Sequence, residues 1–259
     1  MAVTKEILAL AVEIGDALLR NGAEVYRVED TVMHILEAYE IENYDVYVLS
    51  NGIFASANEN RDDACSMIRH VPLGTTHLGR VAALNQLSRE ICSHECSLID
   101  AWVRLDECKN IPFGKPSIQV FFCGLGCGCF AYLFGGKPLD ALVAFLTGVL
   151  LQLFLFGLNR HKNSKFITNI LGSAFVTLLS LIVLSLGAPI LYDKVIIGSI
   201  MPLVPGIALT TSIRDFFNGD YLSGAIHMID ALITAFCIAT GVGTMITLYR
   251  LVMGGALLA

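Results

Sequence analysis

Five long apolar stretches in the C-terminal part of the chain restrict its fold more than any other feature. They cover residues 117–134, 139–158, 166–187, 195–213 and 222–249. A helix of about 20 apolar residues spans the hydrocarbon core of a bilayer. Inside lipid the backbone must satisfy its own hydrogen bonds, so such stretches form helices. We therefore predict an α-helical membrane protein with about five transmembrane helices.

Charged residues are concentrated ahead of these stretches. Residues 1–116 contain 18 acidic and 10 basic residues, which gives this part a net charge of −8. Residues 117–259 contain only 5 acidic and 7 basic residues. We therefore divide the chain into a soluble domain, 1–116, and a transmembrane domain, 117–259. A negative domain without a basic stripe is not expected to bind nucleic acid.

The soluble domain combines two kinds of apolar pattern. Helical spacing of apolar residues predicts helices over 7–20, 25–39, 78–92 and 98–108. Alternating residues predict strands over 44–49, 53–57 and 67–71. Ser50-Asn51-Gly52 reads as a hairpin turn between the first two strands. We therefore expect a small α+β domain with helices packed on an antiparallel sheet.

The orientation in the membrane follows from the short loops. Arg160, Lys162 and Lys165 lie between the second and third spans, and Lys109 and Lys115 precede the first. Basic residues collect on the cytoplasmic side of membrane proteins. The chain also opens directly on an amphipathic pattern, without the apolar region of a secretory signal. We predict an inner (plasma) membrane protein with a cytoplasmic N-terminal domain and its C-terminus outside.

The fourth span is interrupted by Pro202, Pro205 and Gly206. Each proline removes a backbone donor and clashes with the preceding turn, so a regular helix is not expected here. A break inside lipid is tolerated where protein covers it or where it lines a wet cavity. Discontinuous helices build substrate sites in many transporters. We predict a substrate site at this break; the alternative is a kink with a structural role only.

Polar residues follow the break. Thr210 and Thr211 supply hydroxyl groups, and Arg214 stands next to Asp215. A guanidinium group recognises a carboxylate through two parallel hydrogen bonds, which fits a carboxylate-bearing substrate. Alternatively, Arg214 anchors the helix end and pairs with Asp215. The candidate substrate-binding residues are Pro202, Pro205, Gly206, Thr210, Thr211, Arg214 and Asp215.

Ionisable residues near the fifth span are candidates for proton coupling. They are Asp220, His227 and Asp230. His227 and Asp230 are three residues apart and share a helix face. Intramembrane acids and histidines often carry protons in transporters. If the membrane core begins at Ala231, however, Asp230 lies at the interface and is only solvated.

Other chemistry has little support in the sequence. The absence of a glycine-rich phosphate loop argues against ATP-driven export, and no cofactor is predicted. Cys92, His94 and Cys96 lack a second ligand pair, so no metal site is expected. Residues of catalytic type occur at Ser50, Asp62, His70 and His77, but their spacing selects no triad. We therefore expect no enzyme; the alternative is a membrane-anchored hydrolase-like enzyme in the N-terminal domain.

Two groups of residues resemble the threonine/serine exporter family. The first is LRNGAEVYRVE at 19–29. The second is PLVPG at 202–206, followed by Thr210, IRD at 213–215, GD at 219–220 and Gly224. Either group alone is weakly specific, but their order and separation, together with the spans, extend the resemblance over essentially the whole chain.

The resemblance implies secondary export of a small carboxylate-bearing metabolite, either threonine and serine or a dicarboxylate such as succinate. The chain is similar to the larger subunit of the split, two-component form, which resembles the succinate exporter pair. In that form a smaller membrane subunit completes the transporter. The expected partners are therefore this smaller subunit, the lipid bilayer and, as a further alternative, other copies of the chain.

Overall fold

The computed structural model describes residues 2–58, 64–72, 74–159 and 164–253. The chain forms two compact units, which we call the N-terminal unit and the membrane unit. The N-terminal unit contains Met1–Phe113 and a second segment, Thr210–His227. The membrane unit contains Gly114–Leu209 and Met228–Ala259. The division of the sequence near residue 116 did not anticipate that Thr210–His227 would join the N-terminal unit.

Within the described residues, the first segment of the N-terminal unit forms four helices and a three-stranded sheet. The helices are α1 (Ala2–Arg20), α2 (Val25–Ala38), α3 (Leu78–Cys92) and α4 (Leu98–Lys109). The strands are β1 (Tyr44–Leu49), β2 (Gly52–Ala57) and β3 (Cys65–His70), in the order β1-β2-β3. Both strand pairs are antiparallel, and Leu49 pairs with Gly52 across the hairpin turn. The predicted α+β fold of this part is confirmed.

Helix α1 lies at the centre of the N-terminal unit. Its residues Leu8, Ala11, Val12 and Ile14 have no solvent exposure, although they point in different directions around the helix. Apolar side chains that point in several directions from one helix must be covered by elements from several directions. Helices α2, α3 and α4 and strands β2 and β3 all contact α1. The sheet and the other helices therefore form a shell around one buried helix.

The membrane unit is built from the apolar stretches. Its helices are α5 (Pro116–Leu133), α6 (Pro138–Asn159), α7 (Lys165–Ser185) and α8 (Tyr192–Ile200), followed by a 3₁₀ turn (Met201–Leu203). Helix α9 (Gly206–Asn218) and helix α10 (Tyr221–Met253) complete the chain that the structure describes. In the part of the chain that the structure describes, four helices are long and apolar enough to cross a membrane, and a fifth span results if the bent pair from Tyr192 to Asn218 counts as one. The predicted helical membrane protein with about five spans is confirmed.

Large apolar side chains cover the outside of these helices. Phe122 of α5, Leu142 of α6 and Phe236 of α10 are more than half exposed. Water disfavours apolar surface of this kind, whereas the hydrocarbon of a bilayer accepts it. The exposed surface is therefore a lipid-facing one. Of the basic cluster used to predict orientation, Arg160 and Lys162 lie outside the described residues.

Close packing in the membrane unit depends on glycine. A Cβ atom at Gly124 of α5 would lie 2.7 Å from Val149 Cγ2 and 2.8 Å from the carbonyl oxygen of Phe145. A Cβ at Gly198 of α8 would lie 2.6 Å from the backbone nitrogen of Ala131. Small residues allow membrane helices to approach this closely. These glycines therefore have a packing role.

We expect Gly124→Ala to destabilise the protein and Gly126→Ala, two residues further along α5, to leave it nearly unchanged. A Cβ at Gly126 would meet no atom within 4 Å, whereas one at Gly124 would overlap α6. Overpacking of this kind costs about 1–3 kcal/mol. Thermal unfolding of the full chain in detergent measures the difference. Equal midpoints for the two variants would contradict the close α5–α6 contact.

Candidate functional site

The fourth span is broken where the prolines predict it. Helix α8 ends at Ile200, the 3₁₀ turn ends at Leu203, and α9 begins at Gly206 with its axis bent by 62°. Val204 has an extended backbone, with φ −66° and ψ 130°, because a residue before proline avoids the helical conformation. The predicted interruption at Pro205 and Gly206 is therefore confirmed as a structural feature.

A tight turn joins α9 to α10. Gly219 has a φ of +90°, a left-handed conformation that glycine adopts at low cost. The backbone N–H of Asp220 donates to the carbonyl oxygen of Asp215 at 2.9 Å. The Ser212 hydroxyl donates to the carbonyl oxygen of Gly224 at 2.7 Å, and a Cβ at Gly224 would lie 2.8 Å from the Phe216 ring. The start of α10 is therefore packed tightly against α9.

This packing buries an acid–histidine pair. Asp215 has no solvent exposure, and its Oδ2 atom lies 2.9 Å from Nδ1 of His227. The His227 side chain is 17% exposed, so a path to solvent exists on the histidine side. The other carboxylate oxygen, Oδ1, has no hydrogen-bond partner among the described residues. A buried charge without a partner is costly, so His227 stabilises Asp215 in this position.

Two further contacts hold Thr210–His227 in the N-terminal unit. Arg214 of α9 forms an ion pair with Glu24, the residue immediately before α2. The backbone N–H of Ser50, in the β1–β2 turn, donates to the hydroxyl of Ser223 at 3.1 Å, and both serines are buried. One contact is ionic and half-exposed, and the other is neutral and buried. Together they place α9 and the start of α10 next to α2 and the hairpin turn.

Two more acids lie close to this pair. Glu29 of α2 accepts a hydrogen bond from the backbone N–H of Val48 at 3.1 Å. Burial raises the pKa of Glu29, and the negative charge of Asp220 raises it further. Burial also raises the pKa of Asp220, with Asp215 as the second cause. We call Glu24, Glu29, Arg214, Asp215, Asp220 and His227 the carboxylate–histidine cluster.

The structure brings some predicted site residues together and separates others. Arg214, Asp215, Asp220 and His227 all belong to the carboxylate–histidine cluster. The alternative pairing of Arg214 with Asp215 is wrong, because Glu24 pairs with the arginine and His227 with the aspartate. Thr210 and Thr211 precede the cluster on α9, within the N-terminal unit. Their predicted contact with a substrate stays a prediction.

The remaining predicted residues lie in the membrane unit. Pro202, Pro205 and Gly206 form the break itself. Asp230 pairs with Lys165, with 2.6 Å between Oδ2 and Nζ. His227 and Asp230 therefore have different partners, although three residues separate them on one helix. The predicted proton-coupling set consists of two cluster residues, Asp220 and His227, and one acid that is neutralised by a lysine.

Sequence reasoning assigned no role to Glu24, Glu29, Ser50 or Ser223. A signal for the first two was present, because both lie in the LRNGAEVYRVE stretch that carries the family resemblance. Ser50 was considered as a turn residue and as a residue of catalytic type, whereas its backbone N–H provides the contact to Ser223. Ser223 had no signal, since a serine in an apolar span is an ordinary packing residue.

Two histidines considered for other chemistry lie at the ends of secondary-structure elements. His70 ends β3, and His77 caps α3 by accepting a hydrogen bond from the backbone N–H of Arg80. Asp62 lies outside the described residues. Within the described residues, no group of three or more histidine, cysteine, aspartate or glutamate side chains has a metal-binding arrangement.

Comparison with known proteins matches this chain to transport proteins. The family model for threonine/serine exporters matches residues 9–249. A threonine/serine exporter from Corynebacterium glutamicum is 25% identical over 245 residues, which cover 92% of this chain and 50% of that protein. A probable threonine/serine exporter from Mycobacterium tuberculosis is 24% identical over 242 residues, covering 92% and 45% respectively. The chain thus spans about half the length of these two relatives.

A third relative has a similar length. A probable succinate transporter subunit from Klebsiella aerogenes is 24% identical over 259 residues, which cover 95% of each chain. No solved structure matches this chain significantly.

We expect Glu29→Gln to raise the thermal midpoint at pH 8 and to have little effect at pH 4. The pKa of Glu29 is raised on folding, so the folded state binds more protons than the unfolded state between the two pKa values. The ionised carboxylate therefore destabilises the fold above the folded pKa, and this penalty disappears below the unfolded value of 4.5. Glutamine carries no charge and can still accept the Val48 hydrogen bond.

Thermal unfolding at several pH values measures this difference. Glu107→Gln, which changes an exposed carboxylate on α4, is the matched control. A stabilisation by Glu29→Gln that persists unchanged at pH 4 would contradict the electrostatic explanation.

Proposed function

The chain belongs to the threonine/serine exporter family, and from this membership we propose that it is a membrane component of a secondary exporter for a small carboxylate-bearing metabolite. The observation that carries the proposal is the carboxylate–histidine cluster, in which the two groups of residues that resemble the family meet. A buried acid–histidine pair with further acids beside it is typical of proton-carrying sites in transporters. A multi-pass membrane protein with this cluster and a broken helix is suited to coupled transport.

The substrate class follows from the relatives. Two are named as threonine/serine exporters and one as a succinate transporter subunit. Threonine, serine and succinate are all small and carry at least one carboxylate. We propose that the break at Pro202, Pro205 and Gly206 receives the substrate, because α9 begins there and a helix N-terminus favours negative charge. Thr210 and Thr211 of α9 would then supply hydroxyl groups.

Proton coupling is proposed for Asp215, His227 and Asp220. The Oδ1 atom of Asp215, which has no hydrogen-bond partner among the described residues, can accept a proton or a hydrogen bond from a substrate N–H or O–H group. His227 is partly exposed and would connect this acid to solvent. Protonation of either residue changes the charge of a pair that has almost no water around it. Such a change alters the free energy of the surrounding helix packing, which is the requirement for coupling. Asp230 is proposed as a proton carrier only if Lys165 releases it.

Arg214 has a modified role in this proposal. Because Glu24 neutralises its charge, the guanidinium group is not freely available to a substrate carboxylate. A substrate carboxylate would have to compete with Glu24, and this competition would loosen one of the contacts that hold α9 in the N-terminal unit. We therefore propose that Arg214 couples substrate binding to movement of α9.

The partners and location are proposed on the same basis. The Klebsiella aerogenes relative is named as a subunit, so we propose a smaller membrane subunit as the partner, with a homo-oligomer as the alternative assembly. The exposed apolar side chains of the membrane unit fit the bilayer. The distribution of basic residues supports the inner membrane, a cytoplasmic N-terminal domain and a C-terminus outside.

The test is export of labelled threonine, serine and succinate from cells that produce the chain together with its partner. We expect Asp215→Asn and His227→Gln each to lower export at least about tenfold, since each removes an ionisable side chain from a hydrogen-bonded pair. Both variants should also lose the dependence of export on the proton gradient. Pro205→Ala should lower export without removing that dependence.

Asp193→Asn is the matched control, because Asp193 is exposed and pairs with the adjacent Lys194. Normal, gradient-dependent export by both Asp215→Asn and His227→Gln would contradict the proposed coupling. If none of the three labelled compounds is exported, the proposed substrate class is contradicted.

A further inference from the structure

A cavity of about 480 Å³ lies in the N-terminal unit, apart from the carboxylate–histidine cluster. Its walls come from the second half of α1, the segment after β3, the start of α3 and the end of α4. Its volume is within the range of about 300–1,000 Å³ that is typical of small-molecule sites. Five charged side chains line it, namely Glu13, Asp16, Arg20, Arg80 and Lys109. A structural void would be expected to be apolar.

One carboxylate oxygen in the cavity wall lacks a hydrogen-bond partner among the described residues. Asp16 is only 5% exposed, and its Oδ2 atom accepts a hydrogen bond from Nε of Arg20 at 2.6 Å. Its Oδ1 atom is buried and has no hydrogen-bond partner among the described residues. An unsatisfied buried acceptor costs about 1–3 kcal/mol, and more when it is charged. Asp16 is therefore prepared to accept a hydrogen bond from a cationic donor.

Two arginines in the cavity wall use only their Nε atoms in the hydrogen bonds that the described residues form. Arg20 uses Nε for Asp16, and Arg80 uses Nε for the carbonyl oxygen of Ile111 at 2.9 Å. The Arg80 guanidinium also lies over the Phe113 ring, 5.6 Å from its centroid, which fixes its plane. The terminal nitrogens of both arginines can donate to a carboxylate in the paired geometry that arginine favours.

The other two charges neutralise each other. Lys109 Nζ donates to Oε1 of Glu13 at 2.6 Å, and Arg69 donates to Oε2 of the same carboxylate at 2.6 Å. Both oxygens of Glu13 therefore already accept from a cationic side chain. The cavity thus presents one unsatisfied acceptor, Oδ1 of Asp16, and the terminal guanidinium nitrogens of Arg20 and Arg80.

We propose that this cavity binds a zwitterionic α-amino acid, with its ammonium group on Asp16 and its carboxylate on Arg20 and Arg80. A dicarboxylate fits less well, because it brings no donor to Asp16 and places a second negative charge beside it. An amine without a carboxylate also fits less well, because it has no acceptor for the guanidinium groups of Arg20 and Arg80. The site goes beyond the proposed function, since it lies in the N-terminal unit and does not require transport.

The walls of the cavity are set before any ligand binds. A Cβ atom at Gly74 would overlap the carbonyl oxygen of Arg20, so the segment after β3 lies directly on the end of α1. The backbone N–H of His77 donates to the carbonyl oxygen of Asn21 at 3.0 Å, and the Asn21 side chain donates to the carbonyl oxygen of Ala17 at 2.7 Å. Because these contacts hold the wall in place, little ordering is required on binding.

The experiment compares L-serine with L-glycerate, two ligands that differ only in an ammonium group and a hydroxyl group. Their binding to the full chain in detergent is measured by calorimetry, with succinate as a third ligand. Hydrogen exchange of the segment 74–80 locates the site. We expect serine to bind at least tenfold more tightly than glycerate or succinate and to slow exchange in this segment.

Asp16→Asn should weaken serine binding at least tenfold while changing glycerate binding less than twofold, which also shows that the variant is folded. Arg80→Gln should weaken both ligands. Arg104→Gln, which changes an arginine on α4 that pairs with Glu90 outside the cavity, is the matched control. His227→Gln should leave serine binding here unchanged, so that failure of the proposed export mechanism is distinguishable from failure of this site.

Equal affinity for serine and glycerate would overturn the proposal. Unchanged serine binding by Asp16→Asn, or equal weakening of both ligands by that variant, would contradict the role of Asp16. Tight binding without protection of the segment 74–80 would place the ligand elsewhere.

Discussion

The carboxylate of Asp215 has no solvent exposure, and much of the surrounding structure serves to keep it so. Removing a carboxylate from water costs several kcal/mol unless hydrogen bonds and an opposite charge compensate. His227 provides the partner, but it reaches Asp215 only because the chain reverses direction between α9 and α10. The left-handed Gly219 allows that reversal, and Gly224 allows the two helices to approach. The acid–histidine pair, the turn and the close packing are therefore parts of one arrangement.

The broken span makes this arrangement possible. A continuous helix from Tyr192 to Asn218 would carry α9 straight on, whereas the interruption at Pro205 bends its axis by 62°. The segment Thr210–His227 then forms part of the N-terminal unit, where Glu24 pairs with Arg214 and the Ser50 backbone contacts Ser223. A segment that leaves one span and enters the next thus belongs to the folded domain at the start of the chain.

Local patterns in the sequence predicted the helices and strands well, but they predicted poorly which charged side chains pair with each other. The helices and strands of the N-terminal unit fall within a few residues of their predicted bounds, because amphipathic spacing and turn residues act locally. The break was predicted because proline chemistry is also local. The partner of Arg214 could not be predicted, since Glu24 lies about 190 residues away and tertiary packing alone brings them together. For the same reason the shared helix face of His227 and Asp230 was misleading, because their neighbours come from different elements.

The two groups of residues that resemble the threonine/serine exporter family meet through the ion pair between Glu24 and Arg214. A charge-reversal cycle tests it most directly, using Glu24→Arg, Arg214→Glu and the double variant in the full chain. Each single reversal should lower the thermal midpoint, and the pair should show a coupling energy of about 0.5–1 kcal/mol, as for a half-exposed ion pair. The double reversal should recover only part of the loss, because Arg27 also pairs with Glu24 and would repel the new arginine. If the loss of stability in the double variant equals the sum of the losses in the two single variants, the contact between Glu24 and Arg214 is contradicted.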